Sequence, residues 1–189
     1  MKIIGISGSP RRGGNSETLL GETLAGAAQA GADVLPVDRL SEMKYSGCRG
    51  CDACVDTGKC PIRDDAAGVH RLIRESRILV LSSPIYYDNV SGQMKTFFDR
   101  LRPFSKKGGR LEGKRSGAVI ATWADGERAD YLNALKVYTE YFSWFGDFIH
   151  AEILGFPDME GPGDAKKRPD ALKRANELGA RLVEALKRE

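Results

Sequence analysis

Short apolar runs alternate with amphipathic segments along most of this chain, and this alternation restricts the fold more than any other feature. Five runs predict strands, and each is followed by a segment of helical periodicity. Strands that alternate with helices form a parallel sheet with helices on both faces. The predicted strands are residues 2–7, 32–38, 77–83, 114–123 and 147–156.

Five helices are predicted to follow these strands. The first is expected to be capped by Asn15 or Ser16, and the second carries Asp64 and Asp65 in its first turn, where carboxylates suit the helix dipole. The predicted helices are residues 16–30, 64–76, 92–104, 127–146 and 169–187.

The number and spacing of these elements predict a flavodoxin-like α/β fold. This is a three-layer sandwich whose five-stranded parallel sheet has the order 2-1-3-4-5. The 189 residues fit one domain. We predict a single domain over residues 1–189, with a cysteine-rich loop of about residues 41–63 inserted after strand 2.

The loop after the first strand, residues 7–16 (SGSPRRGGNS), is suited to a phosphate group. It combines hydroxyls, an amide and guanidinium groups with glycines that expose backbone amides before a helix start. A Walker A loop would need a lysine that is missing here, and the dinucleotide fingerprint is not matched, although Asp38 stands where a ribose-binding acid would lie. The candidate residues are Ser7, Ser9, Pro10, Arg11, Asn15 and Ser16.

The loop after the third strand, residues 83–92 (SPIYYDNVSG), is suited to a flat ring. A flavin needs an apolar or aromatic wall and hydrogen-bond donors where negative charge develops on reduction. Ordinary packing or interface tyrosines remain the alternative reading of this loop. The candidate residues are Pro84, Ile85, Tyr86, Tyr87 and Asn89.

All four cysteines lie within thirteen residues, at Cys48, Cys51, Cys54 and Cys60. The N-terminal apolar run is too short for a signal peptide, so we expect a cytoplasmic protein whose clustered cysteines bind metal or do redox work. Because no other cysteine exists, all four would serve one site. A zinc site and a set of thiols without any metal remain open alternatives.

The two ligand loops and the cysteine segment together resemble the NADPH-dependent FMN reductase family, in its iron–sulfur flavoprotein branch. The resemblance runs from residue 3 to about residue 102. It implies that the first loop holds the FMN phosphate, that the second contacts the isoalloxazine, and that the four cysteines hold a [4Fe-4S] cluster. By position alone it adds Thr122 and Trp123, in the loop of residues 122–127.

The resemblance implies an oxidoreductase that passes electrons between a donor, the cluster and FMN. The donor would be ferredoxin or NAD(P)H, the acceptor a small molecule, and the protein a homodimer or homotetramer. Two alternatives stay open: a cluster-free NAD(P)H-dependent FMN or quinone reductase, and a non-enzymatic module that holds zinc. The net charge of +3 is too small for a dedicated nucleic-acid binder, and we expect no membrane-spanning segment.

Overall fold

The computed structural model describes residues 1–125 and 131–188, which form a mostly parallel sheet flanked by helices. The strands are β1 (Lys2–Ser7), β2 (Asp33–Val34), β3 (Asp38–Arg39), β4 (Ile78–Tyr86), β5 (Asn89–Val90), β6 (Leu111–Thr122) and β7 (Gly146–Phe156). The α-helices are α1 (Asn15–Gln29), α2 (Cys54–Thr57), α3 (Ala66–Glu75), α4 (Gly92–Asp99), α5 (Tyr131–Glu140), α6 (Phe142–Phe145) and α7 (Pro169–Lys187).

The strand order confirms the predicted α/β fold class. The main path through the sheet is β2-β1-β4-β6-β7, and all its neighbours are parallel. The sheet has seven strands in the described ranges, and not the predicted five. The additional strands are β3, which also pairs with β1, and β5, which pairs antiparallel with β4.

Two local features explain the additional strands. The predicted strand over residues 32–38 is divided into β2 and β3, and Pro36 lies between them, where it cannot donate a ladder hydrogen bond. The turn between β4 and β5 is made by Tyr87 and Asp88, which both have positive φ angles, of 48° and 62°. Such a turn favours glycine or asparagine, so Tyr87 and Asp88 did not indicate a hairpin here.

The sheet separates two apolar cores, because successive side chains of each central strand point to opposite faces. On one face, Ile3, Val80 and Ile120 pack with the buried residues of α1 and α7. On the other face, Ile4 and Leu81 pack with α3, α4, α5 and α6. No helix in the described ranges is long and apolar enough to cross a membrane.

Several helix ends differ from their predicted positions. Helix α1 has Gly14 as its N-cap, so the predicted capping by Asn15 or Ser16 is wrong. Asp64 and Asp65 precede α3 instead of lying in its first turn. The predicted helix 92–104 ends earlier, at Asp99, whereas the predicted bounds of α7 are confirmed.

The predicted helix over residues 127–146 corresponds to α5 and α6, with a break at Tyr141. Its first four positions, 127–130, lie outside the described residues. Residues 126–127 of the predicted loop 122–127, which follows β6, also lie outside the described residues.

Candidate functional site

The loop between β1 and α1 is closed by hydrogen bonds of Ser9. The Ser9 Oγ accepts from the N–H of Arg11 at 3.1 Å and donates to the Arg11 carbonyl at 2.9 Å. The N–H of Gly14 donates to the same carbonyl at 3.2 Å, and Gly13 has a φ of 65°. A compact turn that leads into a helix N-terminus offers backbone amides and a partial positive charge to an anion.

A crevice of about 160 Å³ lies at the carboxyl ends of β1, β4 and β6. Pockets that enclose a whole small molecule usually measure about 300–1,000 Å³, so a ligand as large as FMN would extend beyond this one. Four separate segments of the described chain contribute to its lining. The crevice brings together nine of the thirteen residues predicted to bind FMN: Ser9, Arg11, Asn15, Ser16, Pro84, Ile85, Tyr86, Thr122 and Trp123.

Two side chains of the crevice have unused hydrogen-bonding or charge capacity. Arg11 is exposed and forms no ion pair with any described residue, whereas the neighbouring Arg12 pairs with Glu42 at 2.8 Å. Trp123 is 6% exposed, and its indole Nε1 has no hydrogen-bond partner in the part of the chain that the structure describes. A buried donor without a partner costs free energy, so a polar ligand in the crevice would stabilise it.

The side chain of Asn15 is occupied by the protein itself. Its Nδ2 donates to the carbonyls of Met159 at 3.2 Å and Gly161 at 2.9 Å, and its Oδ1 accepts from the N–H of Ala165 at 3.1 Å. Asn15 therefore fastens the loop after β7 to the start of α1. Its backbone amide, and not its side chain, is the group placed for a phosphate.

Four of the thirteen predicted residues do not line this crevice. Ser7 is fully buried behind the loop, where its Oγ accepts from the N–H of Ser9 at 3.4 Å, and Pro10 is exposed beside it. Tyr87 is fully exposed at the tip of the β4–β5 hairpin. The Asn89 Oδ1 accepts from the hydroxyl of Tyr138 at 2.7 Å.

The loop after β7 contributes crevice residues that the sequence analysis missed. Met159, Glu160 and Pro162 line the crevice together with Ala124. In a parallel sheet the carboxyl ends of all strands meet at one edge, so the loop after the fifth predicted strand could also have been predicted to lie at the crevice. By contrast, Asp38 does not line the crevice, and burial raises the pKa of its carboxyl.

The four cysteines line one small cavity of about 20 Å³. The Cys54 side chain is buried, the Cys60 side chain is partly exposed, and those of Cys48 and Cys51 are exposed; all four are free thiols. The short helix α2 begins at Cys54 and ends at Thr57, and its C-cap is Gly58, whose φ is 63°. Gly58 thus reverses the chain between the third and fourth cysteines.

Gly58 is required at this point for a second reason. A Cβ atom there would lie 2.1 Å from the Gly108 carbonyl oxygen, because the two segments pack backbone against backbone. Arg74 joins them, donating to the carbonyls of Gly58 at 2.8 Å and Gly109 at 3.0 Å. The cysteine segment is therefore fixed to the chain that leads into β6.

Three arginines border the cysteine cavity: Arg49 from the cysteine segment itself, and the pair Arg100 and Arg102 from beyond α4. The Nε atoms of this pair are buried and lack a hydrogen-bond partner in the described ranges. Arg100 forms an ion pair with Asp64 at 2.7 Å, and Arg102 forms one with Asp52. Four thiolates would bring four negative charges to this cavity, and the two free Nε–H groups are donors placed beside them.

This donor set fits a thiolate-bound iron–sulfur cluster in its chemistry and charge. Within residues 1–125 and 131–188, no three His, Cys, Asp or Glu side chains are grouped closely enough to hold a single metal ion. The ligands of a cluster lie farther from one another than those of one ion, because the cluster stands between them.

A groove of about 620 Å³ leads from the cysteine segment to the β4–β5 hairpin. Cys48 and Arg102 line one part of it, and Asn89 lines another. Aromatic side chains form much of the wall between them: Phe98, Tyr138, Tyr141, Trp144 and Phe145.

The fold and the crevice define a flavodoxin-like α/β protein with a cofactor crevice at the carboxyl edge of its sheet. Residues 1–144 match the NADPH-dependent FMN reductase family, and this chain belongs to that family. It is therefore a flavin-dependent oxidoreductase, and FMN is the cofactor that the family supports.

The most similar relatives include two archaeal proteins. An iron-sulfur flavoprotein of Archaeoglobus fulgidus is 36% identical over 190 residues, which cover 98% of this chain and 80% of that protein. An iron-sulfur flavoprotein of Methanocaldococcus jannaschii is 33% identical over 191 residues, covering 99% of this chain and 98% of that protein.

Among solved structures, an NAD(P)H:quinone oxidoreductase from Methanothermobacter marburgensis superposes with a TM-score of 0.73. The two proteins are 16% identical, and the superposition covers 96% of each chain. At this identity the likeness concerns the fold.

Proposed function

We propose that this chain is an iron–sulfur flavoprotein, an FMN-dependent oxidoreductase in which electrons pass between a donor, a [4Fe-4S] cluster and FMN. The donor is ferredoxin or NAD(P)H, and the acceptor is a small molecule. The observation that carries the proposal is that all four cysteines line one cavity beside Arg100 and Arg102. The names of the two archaeal relatives support it.

When bound, FMN would exchange one or two electrons and the cluster one at a time. The residues of the first loop bind the phosphate through the backbone amides near Gly14, the Ser9 and Ser16 hydroxyls and the Arg11 guanidinium. Pro84, Ile85 and Tyr86 would contact the ring. Thr122 and Trp123 also line the crevice, and the free indole N–H of Trp123 would be a hydrogen-bond donor for the bound cofactor.

In the cysteine cavity, the four thiolates are the ligands, and Arg100 and Arg102 donate hydrogen bonds to sulfur. Such donors stabilise the more negative state of a cluster and raise its reduction potential. The cysteine segment and the β4–β5 hairpin both border the aromatic groove. This arrangement supports electron exchange between the two cofactors along the groove.

We also propose that the protein works as a homodimer or homotetramer. The FMN crevice is too small to enclose its ligand, and Tyr87 and Trp144 are exposed aromatic side chains near the groove. Exposed aromatic residues of this kind are enriched at protein interfaces.

A cluster-free NAD(P)H-dependent FMN or quinone reductase is the second candidate function. The observation that favours it is the match of residues 1–144 to the NADPH-dependent FMN reductase family. In that case Cys48 and Cys51 would be exposed thiols without a ligand role.

Purification without oxygen, followed by an absorption spectrum and assays of iron, sulfide, zinc and FMN, tests the proposal. We expect a flavin spectrum over a broad brown shoulder, with about four irons per chain. A yellow flavin spectrum without iron would instead establish the cluster-free reductase.

Cysteine variants then locate the cluster. Cys51→Ser and Cys54→Ser are expected to lose iron and keep FMN, because the FMN crevice shares no residue with the cysteine cavity. Asp56→Asn is the matched control, an exposed position in α2 whose variant keeps both cofactors. Full iron content in the cysteine variants would overturn the assignment of these ligands.

A further inference from the structure

A second cavity lies at the edge of the sheet opposite the FMN crevice. It measures about 590 Å³ and is bordered by the amino ends of β4 and β6 and by the end of α3. Four arginines line it, and the only acidic residue in its lining is Glu112. We call it the arginine cavity; its arginines are Arg74, Arg77, Arg110 and Arg115.

Backbone carbonyls hold three of these guanidinium groups in place. Arg115 donates to the carbonyls of Ile73 at 3.1 Å and of Ser76, at the end of α3. Arg110 donates to the carbonyls of Ser143 and Trp144, both at 2.9 Å. Arg74 is held by the two glycine carbonyls described above. These cations are therefore ordered before any ligand arrives, which lowers the entropic cost of binding.

The protein compensates the charge of the cavity in part, through Glu112 and the carbonyls at the end of α3. None of the four arginines forms an ion pair with a carboxylate in residues 1–125 and 131–188. Arg115 is 4% exposed, and burial, together with the charges of Arg77 and Arg74, lowers its pKa to about 10. Like charges held together at a partly dry site attract an anion strongly.

Arg77 is the arginine with free donors. Its Nε donates to the Lys114 carbonyl at 2.6 Å, while its two Nη atoms make no hydrogen bond within the described part of the chain. A guanidinium presents two parallel N–H groups that match two oxygens of one phosphate. Leu111 is the one large apolar side chain of the lining, so the cavity suits a charged group and not a ring.

We propose that the arginine cavity is an anion site for a phosphate-bearing small molecule, which Arg77 binds with both Nη atoms and the other arginines attract. This site is separate from the FMN crevice because it lies at the other edge of the sheet. Arg74 also donates to Gly58 of the cysteine segment, so an occupied cavity stabilises the contact between that segment and residues 108–109.

Calorimetric titration of the FMN-loaded protein with inorganic pyrophosphate tests this site, with ionic strength held constant by NaCl. Bound FMN keeps the phosphate loop occupied. We expect saturable binding of one pyrophosphate per chain and no comparable binding of acetate. Absence of binding to the wild-type protein at millimolar pyrophosphate, or equal binding of acetate, would overturn the proposal; an acidic protein would then be the occupant to consider.

Variants on and beside the cavity complete the test. Arg77→Gln is expected to weaken pyrophosphate binding roughly tenfold or more, because it removes a charge and a two-point contact. Arg77→Lys keeps the charge but loses the two parallel N–H donors, so its affinity for pyrophosphate should lie between those of the wild type and Arg77→Gln. Arg71→Gln, an exposed arginine of α3 that faces Glu75, is the matched control and keeps wild-type affinity. Equal weakening in Arg71→Gln would show general charge attraction and no site.

Discussion

Arg100 and Asp64 form a buried two-point ion pair that fixes the cysteine segment to the end of α4. The two Nη atoms of Arg100 lie 2.7 and 3.0 Å from the two carboxylate oxygens, and the arginine side chain is 1% exposed. Both residues also bond to the backbone of Ser46. The Arg100 guanidinium donates to the Ser46 carbonyl at 2.6 Å, and the Asp64 carboxylate accepts from the Ser46 N–H at 3.1 Å. One ion pair thus holds both ends of the segment that carries the four cysteines.

Asp64→Asn is therefore expected to destabilise the protein by about 3–5 kcal/mol, because it leaves Arg100 buried without a counter-charge. Urea unfolding at neutral pH measures this loss. Glu177→Gln removes the exposed pair between Lys173 and Glu177 on α7, and this control should cost no more than about 0.5 kcal/mol. Equal unfolding midpoints for the two variants would contradict a structural role of the Asp64 pair.

The pH dependence of this pair has a definite sign. Burial is the largest single influence on the pKa of Asp64 and raises it. The hydrogen bonds from Arg100 and from the N–H groups of Ser46 and Ala66, together with the charge of Arg100, outweigh burial, so the pKa is lowered. A carboxyl with a lowered pKa stabilises the fold at neutral pH, and the contribution is lost as the pH falls through the lowered value. The difference between wild type and Asp64→Asn should accordingly shrink in acid.

His70 makes a second acid-sensitive contribution to the free energy of unfolding. Burial, followed by the nearby charges of Arg100 and Arg74, lowers its pKa to about 4, whereas an unfolded histidine titrates near about 6.5. Between these values the unfolded chain binds more protons, so stability falls with falling pH, by up to about 3 kcal/mol. His70→Gln removes this pH-dependent contribution, and it also removes the contacts of the imidazole ring with Phe97 and Phe104.

The test is the unfolding free energy of wild type and His70→Gln, measured by urea from pH 7 to pH 4.5. We expect the variant to be less stable at pH 7 and the difference to narrow towards pH 4.5. A difference that stays constant or widens in acid would show that His70 becomes charged without cost in the folded protein.

The sequence predicted the elements whose apolar pattern is continuous. The parallel strand order and the bounds of α7 followed from period and spacing alone. The errors lie where tertiary contacts or unusual backbone angles decide. Asn15 is a good capping residue, but its side chain forms hydrogen bonds with the loop of residues 159–165 instead. Tyr87 adopts a positive φ angle, which is unusual for a tyrosine.

The candidate site shows the same division. Residues next to strand ends were predictable, because a parallel sheet places those ends at one edge. The same rule applies to the loop after β7, but it does not say which residues of that loop face the crevice, since only the folded chain brings Met159 and Pro162 there. The arrangement around the cysteines was also hidden, because Arg100 and Arg102 reach them from beyond α4, some forty residues away in the chain.

Gly13→Ala tests the phosphate loop. Gly13 has a φ of 65°, and a Cβ atom added there would have nothing within 4 Å. Alanine therefore meets no clash but is held in a backbone conformation that costs about 1–2 kcal/mol. We expect roughly tenfold weaker FMN binding, measured by quenching of flavin fluorescence. Gly13→Asn, which tolerates this conformation better, should lose less affinity.

Gly21→Ala is the matched control for that variant. Gly21 lies in α1 with nothing within contact of an added Cβ, so alanine should leave FMN binding unchanged and stabilise the helix by up to about 1 kcal/mol. Equal FMN affinities for Gly13→Ala and wild type would show that the loop does not hold the ligand in the conformation described.

Gly179→Ala tests the closest helix contact of the fold, between α7 and α1. A Cβ atom at position 179 would lie 1.9 Å from the Thr23 carbonyl oxygen and 2.6 Å from the Ala27 nitrogen, so the two helices must separate. Alanine favours a helix by about 1 kcal/mol over glycine, but overpacking costs about 1–3 kcal/mol and involves rigid backbone here. We therefore expect a net loss of stability, whereas Gly21→Ala on the same helix pair gains stability. Thermal unfolding of the two variants side by side decides this, and a higher melting temperature for Gly179→Ala would mean that the helices are not in this close contact.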